Sequence, residues 1–251
     1  MLPGLIGFAL VGLSLGLLGG GGSILAVPVL VYAIGLPAGI AVPMSLPVVG
    51  IAAAVGAWGR WRRGLLRLEV VMWFGITAMI TAFTAARLGS DIPDRPRLLL
   101  FVTVMLLAAA VMWYRSIRPP AEPAAHAGRQ PTRLVAIIPA AAAVGTLTGL
   151  VGVGGGFLMV PAMVGFLAMP MAEATATSLS IIALNTLAAG AGWWGEVELD
   201  WTLTAMVTAA ALAGMALGTR LAPRFSSRSL SRIFAVLLVL VGTFMVYEQL
   251  K

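Results

Sequence analysis

Hydrophobic positions in this chain come in long blocks, and polar residues are confined to the short stretches between them. The blocks run about 3–18, 23–36, 38–57, 69–88 and 97–114, then about 134–148, 156–169, 172–192, 202–221 and 232–248. Most approach the ~20 residues that carry a helix across a bilayer. The blocks that flank two glycine clusters are shorter. Taken as one helix, the stretch 3–36 would reach roughly 50 Å, against a hydrocarbon core of ~30 Å. The pattern therefore predicts a broken, re-entrant hairpin with its glycines near the middle of the membrane.

The first cluster, Gly16 to Pro28, reads Gly-Leu-Leu-Gly-Gly-Gly-Gly-Ser-Ile-Leu-Ala-Val-Pro. The second, Gly149 to Pro161, reads Gly-Leu-Val-Gly-Val-Gly-Gly-Gly-Phe-Leu-Met-Val-Pro. Glycine weakens a helix, and lipid tolerates bared backbone only where it faces protein or a polar cavity. Two such breaks at matching places in two halves point to a transport site. The halves align without gaps at an offset of 133, taken from Pro28 and Pro161. At that offset Gly12 meets Gly145, Gly16 meets Gly149, and Gly19, Gly21 and Gly22 meet Gly152, Gly154 and Gly155. Pro37 meets Pro170, Ser45-Leu46 meets Ser178-Leu179, Trp61 meets Trp194, Arg87-Leu88 meets Arg220-Leu221, Phe101 meets Phe234, and Met112 meets Met245. Prolines, tryptophans and arginines in one frame make this an internal duplication. It divides the chain into a first repeat over 1–118, a linker over 119–133 and a second repeat over 134–251.

Composition fixes the solvent. The chain has 251 residues, 60% hydrophobic and 10% charged, with a mean hydropathy of +1.02. Soluble domains carry about 25% charged residues, so this is an integral membrane protein. A net charge of +7 and a pI near 11.2 do not signal nucleic acid, because the sixteen basic residues sit mostly in short loops. The absence of cysteine excludes disulfides and thiolate chemistry, and the single histidine, His126, lies in the Pro/Ala-rich linker. An intramembrane hydrolase would need a nucleophile with a base, or metal ligands, and no Walker A motif is present. Neither an enzyme nor a cofactor or metal is expected. Residues 1–22 look like a signal peptide but lack a basic n-region and an A-x-A-like site, and the same pattern recurs in mid-chain. They are therefore expected to belong to the first repeat.

Loop charges orient the halves. The loop near 58–68 carries Arg60, Arg62, Arg63 and Arg67, whereas its counterpart near 191–201 carries Glu196, Glu198 and Asp200 and no base. The next loop mixes Arg87, Asp91, Asp94, Arg95 and Arg97, and its counterpart has Arg220, Arg224, Arg228 and Arg232 and no acid. Basic loops stay cytoplasmic, so equivalent loops face opposite sides and the repeats are inverted. The segment 115–133, with Arg115, Arg118, Arg129 and Arg133, then falls in the cytoplasm and both termini fall outside. The expected fold is an all-α polytopic membrane protein of two inverted-topology repeats. Each repeat has a Gly-broken re-entrant helical hairpin and three spanning helices.

The candidate site follows from the breaks. A helix restarting at Ser23 or Phe157 aims free N–H groups and a positive dipole end into the membrane interior, which suits an anion. Close helix packing is the competing account of one cluster; the repetition of cluster, apolar run and Val-Pro favours the anion site. Downstream, Thr177, Ser178 and Asn185 share one helix face, where helix-to-helix hydrogen bonding and substrate contact both remain open. The first half answers with Pro43, Ser45 and Pro47, whose prolines are expected to kink the helix and free carbonyls. Candidate binding residues are Gly19, Gly21, Gly22, Ser23, Ser45, Gly152, Gly154, Gly155, Gly156, Thr177, Ser178 and Asn185. Glu173, Arg87 and Arg220 read as interfacial anchors. No buried Asp/Glu pair marks a proton relay, so the coupling ion stays open.

The order of motifs carries a resemblance. A Gly-rich loop, Val-Pro, an Ala-x-x-(Thr/Pro/Met)-Ser-Leu helix and a Gly-x-Val-(Glu/Asp)-x-Asp-Trp segment, arranged in two halves, resemble the TauE/SafE sulfite exporter family. The loops are 16–28 and 149–161, the serine-leucine pairs 45–46 and 178–179, and the last motif Gly195-Glu196-Val197-Glu198-Leu199-Asp200-Trp201. In the first half that motif is degraded to Arg63-Gly64-Leu65-Leu66-Arg67-Leu68. The resemblance spans nearly the whole chain outside the linker. It implies a secondary transporter, expected to be an exporter, that moves sulfite, a sulfonate or a related organosulfur anion across the bacterial inner membrane by alternating access. Its expected partners are the anion and the lipid bilayer, without nucleic acid; a homodimer is compatible with this reading and not fixed by it. A passive anion channel built on the same half-helices and a non-transporting membrane scaffold are the alternatives.

Overall fold

A computed structural model describes residues 2–88, 94–117, 134–151, 156–192 and 198–250. Asp91, Gly152, Gly154, Gly155, Trp194, Gly195, Glu196, Val197 and the linker 119–133 with His126 lie outside the described residues. Within them the fold is all α. Helix α1 (Leu2–Leu18) passes into a 3-10 stretch (Gly19–Leu25), a single turn α2 (Ala26–Pro28) and a π-helical turn (Val29–Ile34). There follow α3 (Ala38–Trp61), α4 (Leu68–Leu88) and α5 (Asp94–Ile117). The second half has α6 (Leu134–Val151), α7 (Gly156–Gly165), α8 (Met171–Gly192), α9 (Trp201–Leu221) and α10 (Ser227–Leu250).

Among the described residues, five helical stretches are long and apolar enough to cross a membrane: Leu2–Ile34, Gly39–Trp61, Leu68–Ala85, Trp201–Arg224 and Ser227–Phe244. Their outward faces carry exposed Trp58, Met72, Ile80, Phe83, Leu217 and Leu240, which water would not tolerate at this density and lipid does. The chain is thus a multi-pass, all-α membrane protein. Helices overrun the apolar blocks into polar ends, because backbone groups near lipid are best satisfied within the helix. α3 is one helix straight through Pro43 and Pro47, so the kink expected there does not divide it.

The 33-residue stretch Leu2–Ile34 does not run straight. Gly19 takes a left-handed φ of +73°, a conformation that ends α1 and that side-chain-bearing residues resist. The chain then doubles back along α1. A methyl added at Gly7 would lie 2.6 Å from Val29 Cγ1, one at Gly22 would lie 2.5 Å from the Leu15 nitrogen, and one at Gly4 would run into Ile34. Two antiparallel arms therefore replace the single long helix that apolarity alone describes.

The offset of 133 reappears in the backbone. Leu36 N–H donates to the Leu30 carbonyl at 3.0 Å, and Met169 N–H to the Met163 carbonyl at 3.1 Å. These bonds close the two return arms around Gly35 (φ +85°) and Ala168 (φ +50°). Ala41 and Ala174 donate to the carbonyls of Pro37 and Pro170, and Val71 and Thr204 to those of Arg67 and Asp200. Packing repeats it as well: the two most extensive helix pairings are α1 with α9 and α4 with α6. A methyl at Gly12 would overlap the Ala211 backbone and one at Gly145 the Ala78 backbone, and 211 less 133 is 78. Between membrane helices, close approach of small residues supplies the attraction that the hydrophobic effect does not. The equivalent helices α3 and α8 meet antiparallel. A methyl at Gly50 would lie 2.6 Å from Thr186 Oγ1, and one at Gly56 would lie 3.1 Å from Leu179 Cδ1, so numbers fall along α8 as they rise along α3.

The Gly12 contact gives a test. Gly12→Ala sets a methyl against backbone that cannot rotate away, and overpacking of this kind costs about 1–3 kcal/mol. Gly59→Ala meets nothing within 4 Å, and the gain in helix propensity is up to ~1 kcal/mol. Thermal unfolding in detergent should show a lower Tm for the first and an equal or higher Tm for the second; equal Tm values would remove the α1–α9 interface from this account.

Candidate functional site

The first break meets the start of α7. Gly20–Gly22 carry no side chains, so the 3-10 stretch after Gly19 can lie directly on its neighbours. A methyl at Gly20 would overlap the Gly156 carbonyl, and one at Gly156 would lie 2.7 Å from Ser23 Oγ. Ser23 Oγ itself donates to the Gly20 carbonyl at 2.7 Å, satisfying an oxygen near the interruption. Beneath this junction runs α8. A methyl at Gly19 would lie 2.9 Å from Thr175 Cα and 2.9 Å from Ser178 Oγ, and one at Gly156 would lie 2.9 Å from Ile182 Cδ1. Gly19, Ser23, Gly156 and Ser178 are therefore brought together.

Other candidates go elsewhere. Gly21 backs onto the Phe234 ring of α10, where a methyl would lie 3.0 Å from Cδ2, and Gly22 packs on α1. Both are small because their neighbours are close, which is the packing role. Ser45 is buried and donates to the Val42 carbonyl at 2.7 Å, within α3. Thr177 does not join Ser178. Leu179 and Thr186 turn toward α3 and Ile181 toward Gly75 of α4, and Thr177 sits on the side of Ile181, one turn before it. It is fully buried, and its Oγ1 has no hydrogen-bond partner among the described residues. Asn185 is half-buried, two turns beyond Ser178. Gly152, Gly154 and Gly155 lie outside the described residues.

The restarts differ from each other. The described part of α7 begins at Gly156 and is buried along Gly156–Val164. Its N-terminal end, with the positive end of the helix dipole, lies at the junction. In the first half the 3-10 turn continues to Leu25, and Ala26 N–H is bonded to the Ser23 carbonyl. The α-helical restart expected at Ser23 is therefore at Ala26, and the chain between is a tighter helix, not an open loop.

Two charged residues were misjudged from sequence. Arg60 was assigned to the loop near 58–68, but α3 continues through it and leaves it 5% exposed. Its Nη2 donates to the Gly16 carbonyl, one turn before Gly19, and its Nη1 is buried without a hydrogen-bond partner among the described residues. The available signal was its spacing of four from Gly56, which places both on one helix face. Glu173 was taken as an interfacial anchor. It forms an ion pair instead, with Arg67 Nε 2.5 Å from Glu173 Oε2, which ties the segment before α4 to the first turn of α8.

These features define a class: a polytopic helical membrane protein in which a broken first helix meets the start of α7 on the hydroxyl-bearing α8. The model of the family Sulfite exporter TauE/SafE matches residues 4–245. The chain belongs to this family of membrane transporters. A "Probable membrane transporter protein" of Xylella fastidiosa (strain 9a5c) is 32% identical over 246 residues, covering 96% of this chain and 92% of that protein. "Probable membrane transporter protein YjnA" of Bacillus subtilis (strain 168) is 26% identical over 249 residues, covering 92% and 94%. No solved structure matches this chain.

The Arg67–Glu173 pair is testable by exchange. Arg67→Glu and Glu173→Arg should each lower Tm, and the double variant should recover part of the loss. A double-mutant cycle should give a coupling of about 0.5–1 kcal/mol, as expected for a partly exposed pair. Additive effects in the double variant would show that the pair contributes nothing.

Proposed function

We propose that this protein is a secondary transporter that exports a small sulfur-containing anion, such as sulfite or an organosulfonate, across the bacterial inner membrane by alternating access. The observation that carries this reading is the meeting of the first break with the start of α7, Gly20 and Ser23 against Gly156, over Ser178. A pyramidal or tetrahedral oxyanion needs several donors converging from different directions. The Gly156 amide supplies a donor, and the positive end of the α7 dipole adds to it, without a carboxylate to repel the ligand. The hydroxyl of Ser178, which in this structure donates to the Thr175 carbonyl at 3.1 Å, can turn to add one from α8. Ser45, its counterpart at the offset of 133, would serve the second break in the same way, and Thr177 and Asn185 are the remaining polar groups on α8.

Two inverted repeats, over 1–118 and 134–251, supply the motion. The paired backbone bonds and the antiparallel meeting of α3 with α8 support an axis that crosses the helices and exchanges the halves. Rocking one half against the other then opens the site to one side at a time. In this arrangement the linker is cytoplasmic and both termini are periplasmic.

Liposomes carrying the purified protein should take up radiolabelled sulfite, with competition by thiosulfate, sulfoacetate or taurine and none by acetate. Preloaded sulfite should drive counterflow, which a channel cannot do. Ser178→Ala should lower kcat/KM at least about tenfold, near the cost of one lost charge-assisted hydrogen bond, and Gly156→Val should abolish uptake in protein that still inserts. Acetate competing as well as sulfonates, or full uptake by Gly156→Val, would overturn the assignment.

Orientation is tested separately. The chain has no cysteine, so Arg63→Cys and Glu198→Cys each give a single label site at an exposed position. An impermeant thiol reagent added outside intact cells should modify Cys at 198 and spare Cys at 63. Equal labelling of both would rule out inversion.

A further inference from the structure

Arg60 is a buried cation that nothing described so far uses. It sits in the last turn of α3, at the equivalent of Trp193 in the second half, so the duplication itself does not require a charge there. One guanidinium nitrogen holds the Gly16 carbonyl, and the other, Nη1, is buried with no hydrogen-bond partner among the described residues. No carboxylate neutralises it among the described residues, where the ion pair is that of Arg67 with Glu173. A guanidinium in this condition is costly to a fold, and a tie to one carbonyl does not need its second arm.

Its position relative to the junction is set by two contacts. Gly16 precedes Gly19 by one turn, roughly 5 Å along the axis, and Gly19 lies against Thr175 and Ser178. Independently, the antiparallel crossing that sets Gly56 against Leu179 brings Arg60, one turn further along α3, level with Thr175, one turn earlier on α8. Arg60 and Ser178 therefore flank the first break from two sides. Hydroxyls and amides supply donors there but no full charge.

We propose that Arg60 is an anion-binding residue of the site, whose free Nη1 and shared Nη2 receive a charged oxygen of the substrate at the first break. The inference rests on the reading given under Proposed function and deepens it: the ligand is a small oxyanion, recognised by a planar fork that favours paired oxygens over a single charge. The Gly16 bond fixes the fork against the hairpin, so binding the anion also fastens α3 to the break.

The test uses full-length protein in liposomes and in detergent. Arg60→Gln keeps a donor for the Gly16 carbonyl and removes the charge; its KM for sulfite should rise at least about tenfold. The sulfite-dependent rise in Tm seen with wild-type protein should be lost. Arg60→Lys keeps the charge without the fork and should fall between the two, which carries the test if Arg60→Gln does not fold. Wild-type uptake together with an unchanged KM and an unchanged sulfite-dependent Tm shift in either variant would overturn the role of Arg60 alone. Wild-type protein that is neither stabilised nor loaded by sulfite, thiosulfate or sulfonates would overturn both this inference and the transport reading. A lower Tm in Arg60→Gln with the sulfite shift intact would assign the residue to structure only.

Discussion

A helix interrupted inside a bilayer bares carbonyl and amide groups that lipid cannot solvate, and the centre of this protein is arranged around that constraint. The α1 helix stops at Leu18 because Gly19 turns left-handed. The groups released are then met locally. Ser23 covers the Gly20 carbonyl, Arg60 covers the Gly16 carbonyl from another helix, and a 3-10 turn occupies much of the rest. The second break enters a helix buried along nearly its whole length. Removing any of these covers leaves a buried polar group without a partner, which is why the break can exist only inside this bundle.

Close packing holds the bundle around the break. Gly12 on Ala211 and Gly145 on Ala78 are the same contact made twice, and both depend on backbone approach that a single methyl prevents. The hairpin ends show how loosely such a frame constrains the residue type. Gly35 and Ala168 occupy the same left-handed position, the second carrying a side chain that resists it. Charge departs further from the repeat. Asp200 caps α9 by accepting from Leu203 N–H at 3.0 Å, whereas its counterpart Arg67 reaches across to Glu173. The backbone frame thus repeats where the charges do not.

Much of the architecture was legible in the chain because its signals are local. Long apolar blocks prescribe helices in lipid, a run of glycines followed by Val-Pro prescribes a break and a restart, and prolines and arginines in one frame reveal the duplication. Gly19, Ser23, Gly156 and Ser178, all named from those signals, lie near one another. What local pattern could not give is direction around a helix axis once several neighbours compete for it. Thr177 and Ser178 are adjacent letters on faces that serve different helices. Glycine is a single letter for two physical needs, so Gly19 as the turn and Gly21 and Gly22 as packing against Phe234 and α1 could not be separated in advance. Arg60 reads as one more loop base beside Arg62 and Arg63, and Glu173 as an anchor. Only the tertiary structure extends α3 past Arg60 and carries Arg67 to a partner 106 residues away. The sequence by itself determined the solvent and the helices, since each follows from what a short segment can satisfy within itself. Which buried polar groups find partners, and which are left open, was decided by the tertiary structure, because such pairing depends on helices distant in the chain.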